Sequence, residues 1–159
     1  MSKSNSGLFI GTKGAEMHFA QKLEKLFADH DEPTAVVWSH LKSTAENYGG
    51  TVIPRSFEID VPKTPMTPDG KLWTHGNATE HMYEAASSIK AQAPRIVNSN
   101  PNLYSQFILY DYYKSLGKVI KNGVKYGSRV TTGKWEFIIV KSRADDKYPV
   151  VKHALFIGL

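Results

Sequence analysis

The chain has 159 residues, a length typical of a single compact domain, of which 41% are hydrophobic and 22% charged. It contains no cysteine, which excludes disulfides, thiolate zinc sites, cysteine nucleophiles and the zinc deaminases that need a Pro-Cys-x-x-Cys segment. No apolar run approaches the roughly 20 residues of a membrane span, and residues 1–7 lack the apolar core of a signal peptide. We therefore expect a soluble chain that carries no targeting segment of its own.

Two helices are predicted in the first 50 residues. Residues 16–30 place apolar side chains at the i, i+3, i+4 and i+7 spacings of an amphipathic helix. A second helix is expected from Pro33 to Tyr48, because Asp31 can cap it, Pro33 suits its first turn and Gly49-Gly50 can end it. Residues 1–50 are then either a helical delivery module that precedes a candidate catalytic domain at 51–159, or part of the same fold.

Extended segments and a loop are predicted next. Residues 51–61 are rich in β-branched side chains, but Pro54 restricts them to an edge strand or a bulge. Residues 61–70 contain three prolines and close on Pro-Asp-Gly, which predicts a loop. Residues 71–75 can then form a short strand.

A helix is expected to begin at Asn77, whose side chain would cap it while Glu80 completes a capping box. Its periodicity divides the side chains into two faces. The apolar face carries Met82, Ala85, Ala86 and Ile89, and the other carries His81, Glu84 and Ser88.

The longest predicted helix runs from Asn100-Pro101 to Lys121 and ends at Asn122-Gly123. Strands follow at 124–130, 134–142 and 148–157, separated by turns at 131–133 and 143–147. The sequence therefore predicts an α+β fold in which N-terminal helices precede a C-terminal antiparallel sheet.

Positive charge is concentrated near the C-terminus. The chain has a net charge of +5, and between Lys114 and Lys152 ten lysines and arginines face only three acidic residues. This distribution favours a polyanionic partner, either nucleic acid or an acidic protein. The alternative is an ordinary solvated surface.

Three histidines are the strongest candidates for chemistry, because imidazole exchanges protons near neutral pH. His75 precedes the helix expected at Asn77, where free backbone N–H groups and the helix dipole favour a phosphate. His81 lies one turn inside that helix, and His153 lies in the last strand. Each could instead be structural, with His75 packed beside Trp73 or bonded to the backbone.

Glu136 lies in a strand whose alternation sets it on one face with Ile138 and Val140. If the last two strands form a hairpin, His153 lies near Phe137 or Ile139, within one or two pairs of Glu136. Glu136 is therefore a candidate base or orienting group. The alternative is a surface ion pair with Arg129 or Lys152.

The cations and polar groups around these strands could bind a substrate. Arg143, Arg129 or Lys141 could neutralise a phosphate, and Tyr126 or Trp135 could stack on bases. The candidate substrate-binding residues are Asn77, Tyr126, Arg129, Thr132, Trp135 and Lys141.

We expect neither a metal ion nor an organic cofactor. His75, His81 and His153 could hold zinc, but the spacing His-x5-His spans a helix start and differs from the His-Glu-x-x-His pair. The sequence also lacks a Gly-rich phosphate loop, a Gly-x-Ser-x-Gly segment and a dinucleotide fingerprint, which excludes kinases, α/β-hydrolases and Rossmann enzymes.

Three segments resemble the C-terminal toxin tips of bacterial polymorphic and contact-dependent growth inhibition systems: residues 72–82, 133–136 and 149–154. The order of elements is similar to that of the barnase/EndoU/colicin/RelE superfamily of small ribonucleases, over residues 51–159. EndoU-type enzymes pair two histidines with a later lysine, which His75 and His81 resemble. Barnase-type enzymes use a glutamate, an arginine and a late histidine, which Glu136, Arg143 and His153 resemble.

The resemblance implies a metal-independent endoribonuclease that cuts tRNA or another RNA of a target cell and leaves a 2′,3′-cyclic phosphate. It also implies delivery on a larger effector into the cytoplasm of a neighbouring bacterium. An acidic immunity protein would be the partner, so that the chain is a monomer or half of a toxin–immunity heterodimer.

Two other functions remain open from the residues. A toxin enzyme acting on a nucleotide such as NAD would use Glu136 to stabilise an oxocarbenium ion. A non-catalytic nucleic-acid binding module would use the basic C-terminal third with its aromatic residues.

Overall fold

The computed structural model describes residues 39–92, 103–142 and 148–158. Within these ranges the elements in chain order are β1 (Leu41–Lys42), β2 (Phe57–Asp60), β3 (Lys71–Thr74), α1 (Gly76–Gln92), α2 (Leu103–Asn122), β4 (Arg129–Thr132), β5 (Trp135–Val140) and β6 (Val150–Phe156). The predicted α+β class is confirmed. The predicted order is not, because α1 and α2 lie between strands instead of preceding the sheet.

The six strands form one mixed sheet in the order β1-β2-β3-β6-β5-β4. The predicted antiparallel meander of the last three strands is present, since β5 pairs antiparallel with both β4 and β6. Among the first three strands, β2 pairs antiparallel with both β1 and β3. The two halves join where β3 and β6 run parallel, with Trp73 opposite Val150 and Thr74 opposite Val151.

The helix predicted from Pro33 to Tyr48 is helical at Ser39 and His40, the first described residues, and wrong from Leu41 onward. Leu41 and Lys42 form β1 and pair with Ile59 and Glu58 of β2, and Asn47 forms an isolated bridge to Pro54. Burial of Leu41 against the core outweighs its local helical propensity. Residues 41–50 therefore belong to the sheet and its turns, whereas the helix predicted at 16–30 lies outside the described residues.

One face of the sheet carries the core, and α2 crosses it. The Tyr112 ring packs near Phe57, Trp135 and Phe137, with ring centroids 5.5 to 5.9 Å apart. Its buried hydroxyl lies 2.8 Å from Thr74 Oγ1, which satisfies both groups. The position of α2 on the sheet is thus set by one large aromatic side chain with a polar partner.

The predicted apolar face of α1 is confirmed, because Met82, Ala85, Ala86 and Ile89 are all buried. The helix packs against β6 and α2. Pairing of β3 with β6 ends near its last residue, with His75 N–H donating to Val151 O at 3.1 Å, and α1 begins one residue later. The helix therefore lies beside the part of β6 that β3 leaves unpaired, which brings its polar face to the edge of the sheet.

Neither helix of the described ranges is both long and apolar enough to cross a bilayer. The predicted loop at 61–70 and the short strand after it are present, and Gly123, with φ +88°, ends α2 where the sequence predicted. The turn between β4 and β5 lies at Gly133-Lys134, so Thr131 and Thr132 belong to β4 and not to the turn.

Candidate active site

A β-bulge in β6 sets the direction of His153. Ile138 is opposite His153 and Ile139 is opposite Val151, so Lys152 is an extra residue without a partner in β5. A bulge of this kind increases the local twist and redirects side chains. Val151 and Ala154 point into the core, whereas Lys152 is exposed and His153 half-buried.

The bulge places His153 on the same face of the sheet as Glu136. The predicted partners of His153, Phe137 and Ile139, were wrong by one position, because Ile138 stands opposite it. Ile138 shares the face of Glu136, whereas Phe137 and Ile139 are buried on the other side. The expected distance of one or two pairs from Glu136 is nevertheless correct.

One carboxylate oxygen of Glu136 binds two basic side chains. Oε1 lies 3.0 Å from His153 Nε2, and Arg129 Nη1 donates to the same atom at 2.7 Å. Because an ionised carboxylate only accepts hydrogen bonds, Nε2 must carry the proton in this contact. A neutral His153 therefore presents the lone pair of Nδ1.

The hydrogen bond from His153 and the positive charge of Arg129 hold the pKa of Glu136 below its ordinary value, although partial burial acts in the opposite direction. The carboxylate is thus ionised throughout the neutral range. A weakly basic carboxylate with two donors on it is better suited to orient a neighbour than to remove a proton.

His81 on α1 reaches His153 across the end of the sheet. The two rings meet edge to face, with centroids 5.5 Å apart. His81 Nδ1 lies 3.3 Å from Glu84 Oε1, one turn further along the helix. This contact occupies Nδ1 and leaves Nε2 as the nitrogen that can face a substrate.

These side chains border a cleft of about 520 Å³ between the first turns of α1 and strands β5 and β6. Its lining comprises Asn77, Glu80, His81, Gly127, Ile138, Val140, Lys152 and His153. A volume of this size lies in the range of ligand-binding pockets. The cleft therefore joins two imidazoles, a lysine and the N-terminal turns of a helix.

His75 has a structural position instead. Gly76 begins α1, which makes His75 the N-cap residue, and its Nδ1 accepts a hydrogen bond from Asn77 N–H at 3.1 Å. The predicted capping by Asn77 and Glu80 is therefore wrong, because the helix starts one residue earlier. His75 is exposed and does not line the cleft, whereas Asn77 and Glu80 do.

Trp135 and Thr132 are not placed for substrate binding. Trp135 is fully buried and donates from Nε1 to Asp111 Oδ2 at 2.8 Å, so it belongs to the core. Thr132 lies on the face opposite Glu136, because Thr131 is the residue directly across from Glu136. Side chains alternate along β4, so Thr131 and Thr132 lie on opposite faces of the sheet. The sequence prediction placed both residues in a turn and therefore did not assign them to faces.

Tyr126 and Lys141 do not line the cleft, although each is next in sequence to a residue that does, Gly127 and Val140. Tyr126 packs against the core, and Lys141 Nζ lies 5.7 Å from its ring centroid, a cation–π contact. Arg143, the predicted catalytic arginine, lies outside the described residues. Arg129, which was predicted to bind substrate, is the arginine that contacts Glu136.

The sequence reasoning missed Lys152 and Glu80 as residues that line the cleft. For Glu80 the signal was available, because it stands at helical spacing between Asn77 and Glu84. For Lys152 there was no signal, since strict alternation would place it on the opposite face to His153.

Among the described residues, no group of three or more His, Cys, Asp or Glu side chains is arranged to hold a metal ion. Comparison of the sequence with protein-family models and with curated proteins finds no match.

Proposed function

We propose that this protein is an endoribonuclease that cleaves RNA by acid–base catalysis with two histidines. The observation that carries the proposal is the meeting of His81 and His153 in one cleft, with Glu136 and Arg129 bound to each other beside them. Two imidazoles with centroids 5.5 Å apart can reach two oxygens of a single phosphodiester.

His153 is assigned as the general base. Glu136 holds its Nε2–H, which fixes the ring and the tautomer and presents Nδ1 as the acceptor. Nδ1 takes the proton of the ribose 2′-hydroxyl, and the 2′-oxygen forms a bond to the adjacent phosphorus. A carboxylate that orients an imidazole in this way also stabilises the imidazolium that results.

His81 is assigned as the general acid. Its Nδ1 is directed to Glu84, so a protonated His81 donates from Nε2 to the 5′-oxygen as the bond between phosphorus and that oxygen breaks. The products are a 2′,3′-cyclic phosphate and a 5′-hydroxyl. The imidazoles exchange protonation states, and water restores them.

Positive charge in the cleft would stabilise the phosphorane. Lys152 lines the cleft, and Arg129 has donors left after its bond to Glu136, since guanidinium offers five N–H groups. Donors that are aimed at the charge that develops in the transition state lower the activation barrier.

The test is incubation of the purified chain with total bacterial RNA in EDTA, next to His81→Ala, His153→Ala and His75→Ala variants. Discrete fragments with cyclic phosphate ends are expected from the wild type and from His75→Ala. The other two variants should lose about 10²–10⁴-fold in rate. Full activity in His153→Ala would contradict the assignment.

The two roles can be separated with a dinucleotide whose 5′-bridging oxygen is replaced by sulfur, because a thiolate leaves without protonation. This substrate should restore most of the rate of His81→Ala and little of the rate of His153→Ala. If the sulfur substrate restores the rate of His153→Ala and not that of His81→Ala, then His153 is the general acid and His81 the general base. Intact RNA with release of nicotinamide from NAD would support a nucleotide-cleaving enzyme instead, and salt-dependent binding without products would support a binding module.

We also infer that such a ribonuclease acts as a bacterial toxin, which agrees with the resemblance of residues 72–82 and 149–154 to toxin tips. A producing cell must then block the cleft. We propose an acidic protein as this partner, because the chain has a net charge of +5 and the exposed Lys152 lines the cleft.

A further inference from the structure

A second concave surface lies at the other end of β3, away from the catalytic cleft. It has a volume of about 660 Å³ and lies between the loop that joins β2 to β3 and the last turns of α2. We name it the lysine groove after the lysines of its lining, which are Lys63, Lys71, Lys114, Lys118 and Lys121. Lys71 is the first residue of β3, whereas the cleft begins at α1, which follows the last one.

The lining of the lysine groove carries five lysines against two carboxylates, Asp60 and Asp69, so its positive charge is only partly compensated. Lys71 is paired, with Nζ 2.6 Å from Asp60 Oδ1 and 3.6 Å from Glu58 Oε2, and this contact raises its pKa. Within the described ranges, Lys63, Lys118 and Lys121 form no ion pair. Unpaired ammonium groups that converge on a concavity attract anions.

The spacing of the lysines fits a chain of phosphates better than a single one. Lys114, Lys118 and Lys121 stand at i, i+4 and i+7 on α2, so they form a stripe about 10 Å long at 1.5 Å per residue. Lys63 lies on the loop across the groove. A single phosphate cannot contact groups spread over this length.

An aromatic pair lines the same groove. His40 and Tyr113 stack with centroids 4.8 Å apart and an interplanar angle of 12°. His40 Nδ1 lies 3.2 Å from Asp60 Oδ2, which fixes the imidazole. Both rings are only half-buried, and aromatic faces beside lysines are the combination that binds single-stranded nucleic acid by base stacking and phosphate contacts.

We propose that the lysine groove is a second binding site for single-stranded RNA, which holds a part of the substrate away from the scissile bond. This rests on the proposed function for the identity of the RNA as substrate. A protein partner would be expected to make less use of the stacked rings, whereas a nucleic acid uses both the rings and the cations.

The test measures binding of the full chain to a fluorescent 2′-O-methyl RNA of about 12 nucleotides, which has no 2′-hydroxyl and cannot be cut. Lys118→Gln with Lys121→Gln should weaken binding roughly tenfold near 0.1 M salt and lower the slope of log K against log salt by about 1.4. The single variants Lys118→Gln and Lys121→Gln are also measured, and Lys90→Gln is the control for each of them. This control removes one charge from the exposed end of α1 and should bind RNA as the wild type does.

The aromatic part has its own pair of variants. Tyr113→Phe keeps the ring and should bind normally, whereas Tyr113→Leu should lose roughly fivefold or more in affinity. Circular dichroism and thermal melting of each variant show whether it is folded, and Lys118→Gln and Lys121→Gln test the groove without changing the core.

Cleavage of a dinucleotide separates this inference from the proposed function. The dinucleotide fills only the cleft, so the double lysine variant should cut it at the wild-type rate while its KM for long RNA rises. If the chain cuts no RNA but the lysine variants still bind RNA more weakly, the nuclease proposal is refuted and the RNA-binding site in the lysine groove is supported. Equal RNA binding by the wild type and the double variant would refute the proposal that the lysine groove binds RNA. A groove that binds an acidic protein instead would give this result.

Discussion

Glu136 is the residue on which the candidate site depends most. Its Oε1 accepts hydrogen bonds from both Arg129 and His153, and its own side chain keeps 21% of its surface exposed. Loss of the carboxylate would leave a partly buried imidazole without its partner and would free the ring to turn. The residue therefore acts through His153 and is a positioning residue in the mechanism we propose.

Replacement of Glu136 by Gln separates this role from that of a base. The amide oxygen can still accept a hydrogen bond from His153 Nε2, so we expect kcat to fall by about 10- to 100-fold, the cost typical of replacing a group that orients a metal-bound imidazole. The limb of the pH–rate profile that reports the base should remain. Removal of that limb, together with a loss as large as in His153→Ala, would show that Glu136 itself removes the proton.

The depressed pKa of Glu136 also predicts how stability changes with pH. A carboxyl whose pKa is lower in the folded state than its ordinary 4.5 stabilises the fold above that value, and this contribution is lost as the pH falls through the folded-state pKa. The difference in melting temperature between the wild type and Glu136→Gln should therefore be full at pH 7 and shrink below about pH 4.5. A difference that stays constant from pH 7 to pH 3 would contradict the ion pair.

At the scale of elements, the bulge in β6 makes the clearest prediction. Without Lys152 the pairing of Val151 with Ile139 and of His153 with Ile138 becomes continuous, and the same side chains stay in the core. Deletion of Lys152 should therefore leave the chain folded but move the His153 ring. We expect kcat to fall by about a hundredfold, since small misplacements of catalytic groups cost that much.

Lys152→Gln is the control for this deletion, because it removes the charge and keeps the bulge. It should reduce kcat less than the deletion does. Equal effects of the two changes would mean that the charge of Lys152 matters and the bulge does not. Thermal melting of both variants checks that the sheet is intact.

The N-cap of α1 gives a second prediction at this scale. His75→Ala removes the acceptor of the Asn77 N–H bond, so we expect a loss of about 1 kcal/mol in the free energy of unfolding, measured with urea. His75→Asp restores a capping oxygen and should recover most of the loss. At a temperature where His75→Ala is folded, its rate of RNA cleavage should stay near that of the wild type. A large loss of rate would show that His75 takes part in catalysis.

Local pattern predicted the elements that depend on local chemistry. The face of α1, the end of α2 at Gly123, the loop at 61–70 and the alternation of β5 all follow from periodicity and turn residues. Long-range pairing was not accessible, because nothing local in residues 41–42 or 71–74 states that β1 pairs with β2 or that β3 runs parallel to β6.

The site was predicted to a similar extent. Alternation in β5 and a hairpin to β6 were enough to bring Glu136 near His153. The bulge was not visible, since it arises from pairing and not from composition, and neither was the burial of Trp135 by α2. His75 was chosen for its position beside a helix start, which is also the position of a cap.

On the scale of the whole molecule, the fold divides the basic C-terminal third between two surfaces. Three lysines of α2 line the lysine groove, whereas Lys152 lines the candidate cleft and Arg129 binds Glu136. A charge excess that looks continuous in the sequence thus becomes two separate positive regions. In the function we propose, an RNA that spans both regions is bound at one end and cut at the other.

The proposed toxic function predicts the effect of the whole chain on a cell. Controlled expression in the cytoplasm of a bacterium should stop growth and fragment RNA, because the chemistry needs only the two imidazoles and the cleft around them. His153→Ala at the same expression level is the matched control, and it should permit growth. Arrest by both forms, with intact RNA, would show that the chain harms the cell by another route, whereas arrest by the active form alone would tie toxicity to the His81–His153 pair.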